Sequence, residues 1–450
     1  MALPKMNSKE YVMGLPGVES YRISLKPNNT SGSYKESDQV IFGIPSYSFS
    51  SINTARTYLQ FKIRAIGADR QHAVFAGANQ VFNKLVVKND SGNQLEDIQR
   101  YETFSRLMDN LKTKQQIEGE ASLSKDFRVV KHEKACTDTT NYSFYHTVVH
   151  DLKSGVLGNT QKGLVNLDIM RASSGSAYTV ELTLASALTV FPETRAGLDI
   201  QYEITDCTLE LEMLRIPEEI QRDINADLFK TNGSMLPYKT FTMARRDVPD
   251  STSCNLQISS SKKDVTGIYS ILSKKTKVRT QIPDDEANAV KSMYGEADHQ
   301  RFLGGRYTYS GGVITPSDTV VTQYNFRYAN RSFPLSPVIM GGDSTLALAN
   351  VISTFEMKDK LPYASELVVT AINQLIPLFE TSTFILAQNF KSYSDQRVLN
   401  GLNIAGMGAP LEVNIQFKDT VSDLECVAFL EYSETLYIGS GGMSTINKPM

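Results

Sequence analysis

The sequence predicts an all-β chain built as two β-sandwiches in tandem, with a few short helices in the loops. Three observations carry that expectation. The chain has 450 residues, whereas a single core rarely grows past ~250–300 residues. Short segments that alternate apolar and polar residues recur along it, and a period of two marks a strand with one buried face. A strand–turn–helix pattern also occurs twice, once in each half.

In the first copy, Gln80-Val81-Phe82-Asn83-Lys84-Leu85-Val86-Val87-Lys88 reads as a strand and Asn89-Asp90-Ser91-Gly92 as a turn. A helix is expected from about Asn93 to Leu111. Asn93 can cap it and Glu96 can reach back, as in a capping box. Leu95, Ile98, Tyr101, Phe104, Leu107 and Leu111 form its apolar stripe, so it should lie against the sheet or a neighbouring subunit. In the second copy, Thr322 to Tyr328 reads as a strand. A Pro- and Gly-containing loop follows, then a helix from about Asp343 to Phe355.

The remaining elements follow in chain order. Residues 1–18 have no sustained period and read as an arm, disordered or ordered by a neighbour. Tyr21, Ile23 and Leu25 alternate with polar residues, as do Leu59, Phe61, Ile63 and Ala65, and Tyr178, Val180, Leu182 and Leu184. In 202–214 the apolar face sits on even numbers at Tyr202 and Ile204, then on odd numbers at Leu209, Leu211 and Met213. A strand cannot change face without an extra residue, so a β-bulge is expected near Asp206-Cys207.

Pro217 can open a helix without losing a hydrogen bond, and Glu218 and Glu219 suit its positive end. Ile220, Ile224 and Leu228 would form its stripe, and Thr231-Asn232-Gly233-Ser234 ends it. A long polar insertion with Gly304-Gly305 and Gly311-Gly312 is expected between 281 and 318. Leu411, Val413, Ile415 and Phe417 then alternate again, before a small, polar, mobile tail. The expected division is an arm (1–18), a first sandwich (19–216), a linker helix (217–234), a second sandwich (235–439) and a tail (440–450). Short strands at regular spacing read as sandwiches of the jelly-roll type.

Composition narrows the function. Hydrophobic residues are 41% and charged residues 21%, with net charge -3, which argues against a basic protein that coats nucleic acid. Cys136, Cys207, Cys254 and Cys426 form no CxxC and read as free buried thiols. The N-terminus lacks the apolar core of a secretory signal, and no stretch of ~18 apolar residues could cross a membrane.

No catalytic apparatus stands out. His146 and His150 would share a helix face, but the segment reads as a strand, on which they lie ~13 Å apart, too far to share an ion. His72, His132 and His299 are isolated. No nucleophile elbow, P-loop or dinucleotide fingerprint is present. Gly155, Gly158 and Lys162 have the wrong spacing for a P-loop and read as a hairpin loop. Asp284-Asp285-Glu286 reads as a solvated loop. Lys262, Lys263, Lys274, Lys275, Lys277 and Arg279 form a basic cluster, and two readings stay open for it. It protects a sheet edge, or it contacts nucleic acid, an anionic membrane or an acidic subunit. These readings assign no catalytic residue, no cofactor and no metal.

At this point the residues resemble a family: the double jelly-roll major capsid proteins of tailless icosahedral viruses, the lineage of adenovirus hexon, tectiviruses, virophages and polinton-like viruses. Gln80 to Leu111, with Gly92, Leu95, Ile98 and Tyr101, is similar to that family's strand–turn–helix unit. Ala177 to Leu184 followed by Tyr202 to Asp206 looks like the close of the first barrel. Phe384 to Phe390, Leu399-Asn400-Gly401 and Leu411 to Phe417 look like the end of the second. The similarity is an ordered pattern over nearly the whole chain, without one diagnostic motif. The chain is far shorter than a hexon, so long tower insertions must be missing.

The resemblance implies a non-enzymatic capsid protein. Three copies would close into a ring of six barrels, a pseudo-hexagonal tile of the virion shell assembled inside the host cell. Its partners would be itself, neighbouring capsomers, and penton and minor capsid proteins, with no small-molecule substrate. The alternatives are a minor capsid protein, or a tandem β-sandwich binding protein for a glycan or protein ligand.

Overall fold

The computed structural model describes residues 17–29, 31–67, 75–124, 146–158, 164–168, 175–194, 200–230, 234–281, 301–310, 313–340, 344–355, 362–369, 375–392, 401–405, 408–438 and 444–447. Within 19–215, one sheet runs β7 (His146–Asp151), β4 (Tyr58–Ile66), β11 (Gln201–Arg215), β3 (Ser50–Asn53) and β8 (Leu164–Asn166), with β1 (Glu19–Leu25) also paired to β11. The facing sheet runs β2 (Gln39–Ile44), β9 (Tyr178–Leu184), β5 (Phe82–Asn89) and β6 (Gln94–Gln99).

Within 234–447, one sheet runs β12 (Ser234–Val248), β24 (Leu424–Ile438), β14 (Val265–Lys274) and β22 (Leu386–Asn389), with β25 (Ser444–Asn447) added to β24. The other runs β13 (Ser251–Ile258), β23 (Leu411–Val421), β18 (Val321–Tyr328) and β19 (Arg331–Ile339). Three small pairs complete the strands: β10 (Glu193–Thr194) with β15 (Thr280–Gln281), β16 (Tyr307–Ser310) with β17 (Val313–Pro316), and β20 (Leu367–Val369) with β21 (Leu375–Pro377).

Eight strands of one half match eight of the other. The order β7-β4-β11-β1 corresponds to β22-β14-β24-β12, and β2-β9-β5-β6 corresponds to β13-β23-β18-β19. In both halves the chain visits the two sheets in the same alternation. Two four-stranded sheets wound in that way form a jelly roll. A helix follows the last of the hairpin strands in each half, Tyr101–Asn110 after β6 and Thr345–Thr354 after β19.

The alternating segments fold as expected. The bulge is present as well: the register of β11 on β4 shifts between Thr205 and Thr208, and Asp206 adopts φ 49°. That extra residue keeps Tyr202 and Ile204 in the core together with Leu209, Leu211 and Met213. The helix expected after Pro217 forms as Glu218–Lys230.

Four expectations need correction. The helix predicted from Asn93 to Leu111 is a strand, β6, followed by a helix that starts only at Tyr101. The capping box is therefore absent: Asn93 donates its backbone N–H to the Asn89 side chain (2.8 Å), and Glu96 is a buried strand residue. The loop predicted after Tyr328 is mostly β19, an edge strand whose Pro334 and Pro337 need no ladder partner there.

The polar insertion is polar only in part, because Phe302 and Leu303 are buried and Leu303 bonds Leu272 through its N–H (2.7 Å). The tail contributes β25, so residues 444–447 belong to a sheet. Residues 1–16, Cys136, the acidic run 284–286, His72, His132 and His299 lie outside the described residues.

Candidate functional site

Among the described residues the two barrels meet along a packed seam. Its centre is the helix Tyr101–Asn110, whose Tyr101, Phe104 and Leu107 are fully buried. Phe104 lies 4.6 Å from Phe241 of β12 and 5.5 Å from Phe429 of β24, ring centre to ring centre. The β12–β24–β14 sheet is thus covered on both faces. This explains why β14 is buried from Val265 to Ser273 and β24 from Leu424 to Leu430 without an exposed position, the polar Thr266, Ser270, Ser273 and Glu425 included. A strand buried on both faces reads as a continuous apolar run. The buried apolar residues of the two halves form one continuous cluster.

Polar contacts fix the register of the seam. The Glu96 carboxylate accepts from the Ser154 hydroxyl and from the Gly155 N–H (2.7 Å). Burial pushes its pKa above the usual carboxylate value, against the lowering effect of the Ser154, Gly155, Thr240 and Val156 donors. The loop 152–158 runs so close to β12 that a Cβ on Gly155 would sit 1.5 Å from the Lys239 carbonyl oxygen. Only glycine fits such an approach. The segment read as a hairpin loop is buried at its start, with Val156 and Leu157 in the interior, while Lys162 lies outside the described residues.

Further bonds cross the seam. Tyr238 donates to the Leu95 carbonyl (3.2 Å). Arg100 donates to both oxygens of Glu425 (2.9 and 3.2 Å). The Tyr363 N–H donates to the Lys112 carbonyl (2.7 Å). Beside this set, the Tyr101 hydroxyl accepts from the Lys153 N–H (2.7 Å). It also lies within hydrogen-bond distance of His150 Nε2 (3.2 Å). Burial, helped by Lys153 and Lys112 and opposed by Asp109, holds the His150 pKa well below the ordinary histidine value.

The four residues singled out from the sequence separate into roles. Gly92 takes φ 78° in the β5–β6 turn, a conformation that suits glycine. Leu95 and Ile98 are buried on β6, and Tyr101 opens the helix. The structure brings Leu95 to the seam through its carbonyl's bond with Tyr238, and Tyr101 as the first residue of the helix at the seam's centre. Sequence reasoning missed Glu96, Ser154 and Gly155 as seam residues. The one available signal was a carboxylate within a stretch otherwise fit for burial.

Histidines 146 and 150 lie on a strand, as read. Among the described residues no group of three or more His, Cys, Asp or Glu could hold a metal ion, and no helix is long and apolar enough to cross a membrane. Cys207, Cys254 and Cys426 are free and buried. The basic cluster is dispersed: Lys262 pairs with Glu434 (2.8 Å) and lies over the Tyr432 ring, and Lys275 pairs with Asp247 (2.7 Å).

No protein-family model and no curated protein matches the sequence. Solved structures do match in shape. A quasi-atomic model of the PBCV-1 virus capsid aligns at TM-score 0.59 and 11% identity, over 96% of this chain and 97% of that one. This chain is a double jelly roll. The cryo-EM structure of the Sputnik virophage aligns with the double jelly roll at TM-score 0.52 and 10% identity, covering 96% of this chain and 88% of that one. The crystal structure of the mavirus major capsid protein aligns at 0.51 and 9%, covering 95% and 90%. At such identities the likeness speaks to the fold. In that fold the seam joins the two barrels through a shared core.

Proposed function

We propose that this double jelly roll is a major capsid protein, a structural subunit with no catalytic role, and that three copies close into a six-barrel tile of an icosahedral shell. One observation carries the reading. The strand order of one barrel is repeated in the other, and the paired arrangement extends over 96% of the chain in its likeness to a virus capsid. Two equivalent barrels in each subunit give a trimer near-sixfold symmetry, and a closed ring satisfies each lateral interface once.

The surface fits self-association. Leu335 and Ile339 on the edge strand β19 are 91% and 66% exposed, and apolar side chains on an unpaired edge invite a partner. We assign this edge to lateral contacts between copies. The reading also keeps the division into arm (1–18), first barrel (19–216), linker helix (217–234) and second barrel (235–439). It gives the arm the role of latching a neighbouring subunit in the shell. Penton and minor capsid proteins are the expected further partners, and the virion is the expected location.

Light scattering after size exclusion tests the reading. The expected mass is roughly three times the 50.0 kDa chain. A monomer at micromolar concentration would overturn it.

A further inference from the structure

We propose that the cavity where the two barrels meet beside Arg100 binds a compact oxyanion of the phosphate class. The inference does not depend on how copies of the chain assemble.

The cavity measures about 410 Å³ and is lined by four cationic side chains, Arg100 from the first barrel and Arg245, Lys275 and Lys277 from the second. Three carboxylates line it too, Glu102, Asp247 and Glu425, one fewer than the cations. These carboxylates are already engaged. Glu425 takes both bonds from Arg100 and a third from the Ser273 hydroxyl (3.2 Å). Glu102 accepts from Arg100 Nε (3.0 Å), and Asp247 pairs with Lys275 (2.7 Å).

Lys277 is different. It makes no hydrogen bond or ion pair among the described residues. Its backbone is nonetheless held in place from both sides. On one side Thr276 donates its N–H and hydroxyl to Asp423 (3.0 and 2.6 Å). On the other, Arg279 donates to the carbonyls of Phe191 (3.2 Å) and Ile200 (3.5 Å) in the first barrel. A lysine fixed at a cavity wall with no direct hydrogen-bonded partner of its own is costly unless an anion joins it.

Electrostatics points the same way. Burial, then Arg100 and Arg245, hold the Lys277 ammonium below the ordinary lysine range, while Glu102 and Glu425 oppose them. An anion between Lys277 and Arg245 would remove that penalty. Asn83 and Ser186 also line the cavity and supply neutral donors. The flanking carboxylates disfavour an extended polyanion, so a small tetrahedral oxyanion fits better than a nucleic acid strand. Because both barrels line the site, the bound ion would clamp them and raise the stability of the whole chain by mass action.

The test is thermal unfolding of the full chain in inorganic phosphate against chloride at equal pH and ionic strength. The expected result is a saturable rise in Tm of about 3 °C, reproduced by sulfate. It should be lost in Lys277→Met and kept in Lys418→Met, which lies away from the cavity. An equal rise in Lys277→Met, or no phosphate-specific rise, overturns the proposal. So does a rise with a single-stranded oligonucleotide but not with phosphate. If Lys277→Met does not fold, a phosphorus NMR titration of the wild-type chain decides. Phosphate broadening that sulfate competes away supports the site, and a sharp line at millimolar phosphate contradicts it.

Discussion

Phe104 of the first barrel and Phe241 of the second meet with ring centres 4.6 Å apart, and Phe429 completes the contact. Aromatic pairs at this separation add to the area they bury. The helix that carries Phe104 is the first barrel's contribution to a core that the second barrel cannot close alone. Phe104→Ala should therefore cost about 3–5 kcal/mol and uncouple the barrels. Scanning calorimetry should show the single wild-type transition lowered and split. An unchanged, single transition would show that the barrels do not depend on this contact.

Gly155 should tolerate no side chain. Alanine there would drive Cβ to 1.5 Å from the Lys239 carbonyl oxygen, and main chain cannot yield as a flexible side chain can. Gly155→Ala should lose about 3 kcal/mol or more. Gly92→Ala meets nothing within 4 Å and carries only the strain of a positive φ, about 1 kcal/mol. Denaturant midpoints of the two variants check this. Equal losses would mean that the seam loop can move away.

His150 should make the fold sensitive to acid. In the folded chain it stays neutral, between Tyr101 and the Lys153, Lys112 and Asp109 charges. In the unfolded chain it takes up a proton near pH 6.5. Below that pH the unfolded state binds more protons than the folded state, so stability falls by up to about 1.4 kcal/mol per pH unit. Above it this contribution is constant. Urea unfolding from pH 7.5 to 5 should show the decline, and His150→Gln should flatten it. An identical slope in the variant would assign the acid sensitivity elsewhere.

Leu335 should matter between molecules and not within one. At 91% exposure its removal changes almost no internal contact, so Leu335→Lys should leave the unfolding free energy of the isolated subunit within about 0.5 kcal/mol of wild type. Sedimentation should show a smaller share of the associated form. Unaltered association would remove β19 from the lateral contacts.

The strands were legible where one face is buried and the other wet. β9 alternates without a break from Tyr178 to Leu184, and the change of face in β11 located its bulge to the residue pair. The helix from Asn93 was misread because β6 is buried on both sides, with Leu95, Glu96 and Ile98 all covered. Its apolar spacing of three then runs into the true helical stripe. The boundary is Arg100 at φ 53°, a left-handed residue that is neither glycine nor asparagine and so carries no mark in the sequence.

β19 was hidden by its prolines, which an edge strand accepts. The seam itself could not be read, because Gly155 and Lys239 are far apart in the chain and meet only through topology. The role of the basic cluster stayed open for the same reason: Lys262 pairs with Glu434, while Lys275 and Lys277 line a cavity with Arg100 of the other barrel, and only topology separates or joins them.

The most direct test of the central claim is electron microscopy of the purified, associated protein. Closed particles with a hexagonal outline and six lobes, two from each of three subunits, are expected. Isolated two-lobed particles, or closed rings with another number of lobes, would contradict that claim.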